Sequence, residues 1–194
     1  MNEIITYGIR DSEFIRGDVP MTKEEVRVLT ISKLKLKKDS ILIDVGAGTG
    51  SISIEAGRIL KNGTVYAVER NEEAVDLIIK NIEKFGVKNI QLIQGAAPDC
   101  LSCIKDFTHA VVGGSGGELL SILKYLAENI KRGGRIVVNA ISHETLYQAY
   151  NFFRENNFTD VENILVNISR SHTKGNAVLY EALNPVNIIS AEKQ

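Results

Sequence analysis

The run Asp44-Val45-Gly46-Ala47-Gly48-Thr49-Gly50 constrains this chain more than any other. The apolar segment Ile41–Val45 leads into it, and a helical period starts at Gly50, so three glycines fall at a strand-to-helix turn. Glycine there tolerates positive φ and lets the backbone come close to a ligand. In open α/β sheets, ligands bind beyond the carboxyl ends of the strands. Glu69 closes the next strand-like run nineteen positions after Gly50, where nucleoside-binding sheets place the acid that takes ribose hydroxyls. A nucleoside-bearing ligand follows, against the plainer reading of a tight turn that binds nothing.

The remaining pattern agrees with such a sheet. Apolar runs at Ile41–Val45, Thr64–Glu69, Ile90–Gln94, His109–Gly113 and Arg135–Ile141 alternate with helical stretches near Gly50–Leu60, Glu72–Phe85, Gly117–Asn129 and Glu144–Asn156. Asn71 reads as an N-cap and Gly86 as a helix stop. Two further runs, Val161–Ser169 and Ala177–Leu183, joined through His172-Thr173-Lys174-Gly175, predict a hairpin closing one sheet edge. The expected fold is α/β: a doubly wound, seven-stranded, mostly parallel sheet with a C-terminal antiparallel hairpin. One domain spans 1–194, with an arm and extra helix over 1–38, β/α units over 39–160 and the hairpin over 161–184. Thr22-Lys23-Glu24-Glu25 matches a capping box, which makes Thr22 the expected N-cap of the extra helix.

Composition narrows the class. With 23 basic and 24 acidic residues the net charge is −1, and 6 % aromatics with no Trp disfavour a protein that coats nucleic acid. No apolar run reaches the ~18 residues of a membrane span. The start, Met1 to Ile5, has early acid and no long apolar core, so no secretion signal is expected. Cys100 and Cys103 suit a reducing cytoplasm; with no second Cys pair or nearby His they read as buried thiols on a short helix, and no metal site is expected. His109 reads as structural, and His143 as a cap or a substrate-facing group.

Two residues discriminate among nucleosides. A dinucleotide fingerprint starting at Gly46 needs glycine at position 51, which is Ser51. Asp44 beside the loop would repel a pyrophosphate and attract an ammonium or sulfonium. S-adenosylmethionine satisfies these demands: ribose for Glu69, an amino group near Asp44, a carboxylate for the loop amides and helix N-terminus. A nicotinamide oxidoreductase and a non-catalytic cofactor-binding subunit stay open at this point.

In these features the chain, over about residues 40–183, resembles the class I S-adenosylmethionine-dependent methyltransferases, which have a Rossmann-like fold. The resemblance implies that Gly46, Ala47, Gly48, Thr49 and Gly50 hold the methionine part and Glu69 the ribose. Position 96, where that superfamily often has an acid for adenine, is Ala96, so adenine recognition falls to the backbone at Ala96 and Ala97. No Asn-Pro-Pro-aromatic motif of amino-group methylation follows the fourth strand; the chain has Gly113-Gly114-Ser115-Gly116-Gly117-Glu118, leaving room for a bulky flat substrate. Ser115 has no identifiable base that would make it a nucleophile.

With Gly8-Ile9-Arg10-Asp11, Phe14-Ile15-Arg16 and Pro20-Met21-Thr22-Lys23, followed by Glu25-Val26-Arg27, that glycine-rich segment resembles a narrower family. This is the decarboxylating cobalt-precorrin-6B (C15)-methyltransferases of cobalamin biosynthesis. The arm departs from the family's pattern at Arg10, where Pro is common. The chain lacks the fused second domain of the aerobic-type homologue, so it looks like the separate enzyme of the anaerobic route. The resemblance implies methylation of ring carbon 15 with loss of the ring-C acetate carboxyl, a homotetramer, and cofactor contact by Thr22. The substrate would be a polyanionic cobalt tetrapyrrole, whose carboxylates need cations at the pocket rim. Arg16, Lys23, Arg27, Arg170, His172 and Lys174 are candidates; Arg16 and Arg27 lie in matching segments, and Gly114, Ser115 and Gly116 face the acceptor. A methyltransferase acting on RNA is the nearest rival.

Overall fold

The computed structural model describes residues 8–194; the reading of Met1 to Ile5 and the start of the arm lie outside the described residues. The five apolar runs become β1 (Ile41–Val45), β2 (Thr64–Glu69), β3 (Ile90–Gln94), β4 (His109–Val112) and β5 (Arg135–Ala140). They pair in parallel in the order β3-β2-β1-β4-β5, with Ile43 opposite Tyr66 on one side and Ala110 on the other. Successive side chains of a strand point to opposite faces. Ile43, Val45, Val112, Ile136 and Val138 therefore pack on one face, under Leu119, Ile122 and Leu126 of α4 (Leu119–Asn129) and Phe153 of α5 (His143–Glu155). Leu42, Val65, Val111 and Val137 pack on the other, under Val26 and Leu34 of α1 (Glu24–Leu34) and Ile52 and Ala56 of α2 (Ser51–Ile59). Covering both faces is what lets the strands be apolar without interruption. α3 (Glu72–Phe85) starts where Asn71 accepts a 3.0 Å hydrogen bond from Ala74 N and stops at Gly86, φ +62°.

The C-terminal third departs from the sequence reading. β6 (Phe158–Val166) belongs to the main sheet, but its neighbour is β9 (Val186–Lys193), which inserts antiparallel between β5 and β6. The sheet has seven mostly parallel strands, in the order β3-β2-β1-β4-β5-β9-β6. The expected hairpin is β7 (Ser169–Lys174) with β8 (Ala177–Ala182), a separate two-stranded ribbon that closes no edge of the main sheet. His172 to Lys174 lie within β7, and only Gly175 and Asn176 make the turn. β9 wins the inner position because Ile188, Ile189 and Ala191 are all buried there, whereas every residue of β8 is exposed. Arg135, itself buried, locks the arrangement by donating to Asp160 (2.7 Å), Glu192 (3.2 Å) and the Lys33 carbonyl (3.0 Å).

The helix before β1 is also capped differently. Lys23 occupies the N-cap position of α1 and no side chain caps it, so Thr22 is not the cap. The arm is held by other means. Glu55 of α2 accepts from Gly8 N (3.1 Å) and Ile9 N (3.0 Å), Asn81 of α3 exchanges hydrogen bonds with Ile15, and the Phe14 ring packs 4.9 Å from Phe85.

Candidate functional site

Strand order reverses between β1 and β4, so the loops at their carboxyl ends diverge and leave a crevice. A cleft of about 940 Å³ opens there. Its floor is Gly46 to Gly48 and Gly113 to Gly116; one side is Glu69 to Asn71 with Gly95 to Ala97; the arm residues 18–23 form a wall. The opposite wall is Asn139 near the end of β5, Ile141 just after it, Ile168, residues 182–184 and Val186.

The glycines serve geometry at identifiable points. Gly46 has φ +70°, and a Cβ there would sit 2.5 Å from the Gly114 carbonyl oxygen, so the β1 and β4 loops touch backbone to backbone. Gly46 is thus required for this contact, whereas a Cβ on Gly114 would meet only the Gly46 Cα, at 3.9 Å. Gly50 (φ +77°) leaves the cleft and packs on Ile78, while Thr49 is buried and its carbonyl accepts from Asn81. Of the five loop residues, Gly46, Ala47 and Gly48 border the cleft; Thr49 and Gly50 support it from behind.

Asp44 is 1 % exposed at the edge of the cleft. Its Oδ2 accepts from Ser53 Oγ at 2.6 Å, and its Oδ1 has no partner among the described residues. Burial pushes the carboxyl up to about 6, partly offset by the Ser53 hydrogen bonds and reinforced by the negative charge of Glu69. A buried acceptor left without a donor is costly. Glu69 ties the same region together, accepting from Gly48 N (2.9 Å) and from Arg70 N and Asn71 N (2.8 and 2.9 Å). Thr22, Ala96 and Ala97 border the cleft, as do Gly114, Ser115 and Gly116.

Five of the six expected cations are elsewhere, His172 and Lys174 among them on the exposed ribbon. Arg27 is fully buried: its guanidinium donates to Glu55 (2.6 Å), Asp11 (3.3 Å), the Thr22 carbonyl (2.7 Å) and the Ile9 carbonyl, and lies over the Phe14 ring. It anchors the arm and cannot meet a substrate. Arg16 is exposed beside a separate, shallower pocket with Arg10, Phe14 and Arg170, and Arg170 itself pairs with Glu25 at 2.6 Å and with Asp11. Lys23 does border the cleft. The sequence reading missed Arg70 and Asn139. Arg70 directly follows the singled-out Glu69, and Asn139 lies two residues before the end of the predicted run Arg135–Ile141, so nearness to a strand's carboxyl end was the available signal. Asn139 accepts from Thr30 Oγ1 (3.0 Å) while its Nδ2 is buried without a partner among the described residues.

The other polar residues singled out are peripheral. His109 is buried beside Thr108, and burial with the nearby Lys37 and Arg135 charges pushes it down to about 4, in keeping with a structural role. Ser142, not His143, caps α5. Cys100 is half-buried and Cys103 exposed, so the expected pair of buried thiols is not there, although the short helix Asp99–Cys103 is.

A family model described as a precorrin methyltransferase domain matches residues 13–193. A Sulfolobus acidocaldarius protein named "Probable cobalt-precorrin-6B C(15)-methyltransferase (decarboxylating)" is 42 % identical over 190 residues, covering 96 % of this chain and 98 % of its own. Among solved structures, precorrin-6y C5,15-methyltransferase from Geobacter metallireducens superposes with a TM-score of 0.91 at 37 % identity, over 96 % of this chain and 98 % of that one. Precorrin 8w decarboxylase from Methanobacterium thermoautotrophicum superposes with a TM-score of 0.87 at 38 % identity, over 94 % and 98 %.

Proposed function

The chain belongs to the precorrin methyltransferase family, and on that premise we propose that it converts cobalt-precorrin-6B to cobalt-precorrin-7 with S-adenosylmethionine as methyl donor. Ring carbon 15 gains the methyl group and the ring-C acetate arm loses its carboxyl as carbon dioxide, leaving a methyl on that ring, a step of the anaerobic cobalamin route carried out in the cytoplasm. The observation that carries the choice of donor is the unpartnered Asp44 Oδ1 beside the glycine loop, an acceptor fit for the ammonium of a methionine moiety.

In this reading Asp44 holds the amino group, and Gly46, Ala47 and Gly48 lie along the methionine part, with Thr49 and Gly50 bracing the loop. Glu69 keeps about one of its four lone-pair sites free for a ribose hydroxyl after accepting three backbone amides. The backbone at Ala96 and Ala97 borders adenine, and Thr22 covers the donor from the arm. Gly114, Ser115 and Gly116 lie under the acceptor ring. When bound, the donor supplies a methyl group on a sulfonium that is already activated for transfer. What remains for the protein is to bring methyl and ring carbon to about 3–3.5 Å in line and to exclude water between the arm and the β8–β9 segment. The electron pair released with carbon dioxide passes into the conjugated macrocycle, so no covalent intermediate with the protein is required. The cleft, at the upper end of small-molecule pockets, suits two ligands together.

The reading extends to a homotetramer assembled through the β7–β8 ribbon. An isolated two-stranded ribbon is marginal in water, and this one exposes Val178, Leu179 and Tyr180, the last at 78 %. No helix among the described residues is long and apolar enough to cross a membrane. The test of function is turnover of cobalt-precorrin-6B with S-adenosylmethionine. A methylated macrocycle and carbon dioxide in equal amounts are expected; no macrocycle product, with the donor bound, would assign another acceptor.

A further inference from the structure

The described charged side chains bordering the cleft are Asp18, Asp44, Glu69, Glu73, Glu118, Lys23 and Arg70. Three of the five acids are already engaged: Asp44 by Ser53, Glu69 by three backbone amides and Glu118 by Ser121. Neither cation is engaged: the Lys23 ammonium and the Arg70 guanidinium make no ion pair or side-chain hydrogen bond among the described residues, and what distinguishes Arg70 is its position.

That position is specific. A Cβ built on Gly116 would lie 2.7, 2.8 and 2.9 Å from Nη1, Cζ and Nη2 of Arg70. The side chain leaves the carboxyl end of β2, and Gly116 lies in the loop after β4. In the sheet, β1 runs between those two strands. Arg70 therefore reaches across the end of β1, above the turn containing Gly46 and Gly48. Gly116, at φ +59°, leaves the guanidinium that space.

We propose that Arg70 is the specificity-determining cation that takes one carboxylate arm of the tetrapyrrole and seats the ring over the methyl donor. This rests on the function proposed above, in which donor and macrocycle share the cleft. A guanidinium offers five N–H donors in a planar fork matched to a carboxylate, and a shorter-reaching point charge is a poor replacement. An anion is also the one ligand class that such a cleft cannot hold through its carboxylates. Arg70 binds substrate, Asp44 binds the donor, and the two opposite charges stand over one loop.

Arg70→Ala and Arg70→Lys test this, with Arg70 exposed so that melting temperature is expected to stay at the wild-type value. KM for cobalt-precorrin-6B should rise tenfold or more in Arg70→Ala and by a smaller factor in Arg70→Lys, while Kd for S-adenosylhomocysteine stays within twofold. Fluorescence titration with uroporphyrin, which carries acetate and propionate arms, should show the same tenfold loss of binding in Arg70→Ala without any turnover. Gly116→Ala, which crowds the guanidinium, should reproduce the effect. An unchanged KM and porphyrin affinity would overturn the proposal, as would a loss that falls equally on S-adenosylhomocysteine. Absence of turnover by the wild type would refute the assigned reaction alone, and the porphyrin titration would still decide the role of Arg70.

Discussion

Burial raises the Asp44 carboxyl to about 6, well above the usual carboxylate range. The folded state therefore binds a proton that the unfolded chain has lost between about pH 4 and 6. This stability is present below pH 4 and is lost as pH rises through 6. At neutral pH the ligand-free protein carries a buried carboxylate held by Ser53 through one oxygen only, which the proposed cationic ligand would relieve. Asp44→Asn should raise the melting temperature of the ligand-free protein by a few degrees, at about 2–4 °C per kcal/mol for a chain of this size. It should also weaken S-adenosylmethionine binding by about 10–100-fold, the worth of a hydrogen bond to a charged group. Wild-type affinity should fall up to tenfold per unit as pH drops below about 6, and the variant's profile should be flat; calorimetric titration across pH reads both. Arg27 illustrates the opposite case, a charge retained for architecture. Arg27→Ala leaves Glu55 buried without its main partner and should destabilise the fold by about 3–5 kcal/mol in denaturant titration. Any loss of ligand affinity would follow from a loosened arm.

At the scale of elements, periodicity and turn chemistry were legible where local signals agree. β1, β2 and β3 begin and end where their apolar runs do, and α3 runs from the Asn71 cap to the Gly86 stop. What local sequence could not show was competition among elements. Val161–Ser169 and Ala177–Leu183 look like partners because a short Gly-containing link joins them, yet β6 pairs with β9, twenty or more residues away. Nothing local ranks Ile188 and Ile189 above Val178 and Leu179 for the buried place; the neighbouring β5 face does that. The Thr22 capping box failed for a similar reason, since the Thr22 carbonyl is committed to Arg27 and the helix starts one residue later. The ribbon this leaves exposed is the element expected to hold copies together. Val178→Asp combined with Tyr180→Asp should shift the protein from tetramer to smaller species in light scattering; an unchanged mass would place the interface elsewhere.

Across the whole molecule, the cleft draws on segments spread from residue 18 to residue 186. That Asp44, the first glycines and Glu69 would share one cleft was readable, because they sit at the ends of adjacent strands and announce themselves by spacing. The substrate half was not, because its cations were sought by family-matching segments and Arg27 proved to be a buried anchor. A net charge of −1 hides a cleft in which acids outnumber bases; the proposed cationic donor and anionic substrate divide it between Asp44 and Arg70. The most direct test is a crystal structure grown with S-adenosylhomocysteine. The ligand is expected in the cleft with its amino group about 2.7–3.2 Å from Asp44 Oδ1 and its ribose hydroxyls on Glu69. A cleft left empty at saturating ligand, or a ligand whose ribose lies away from Glu69, would contradict it.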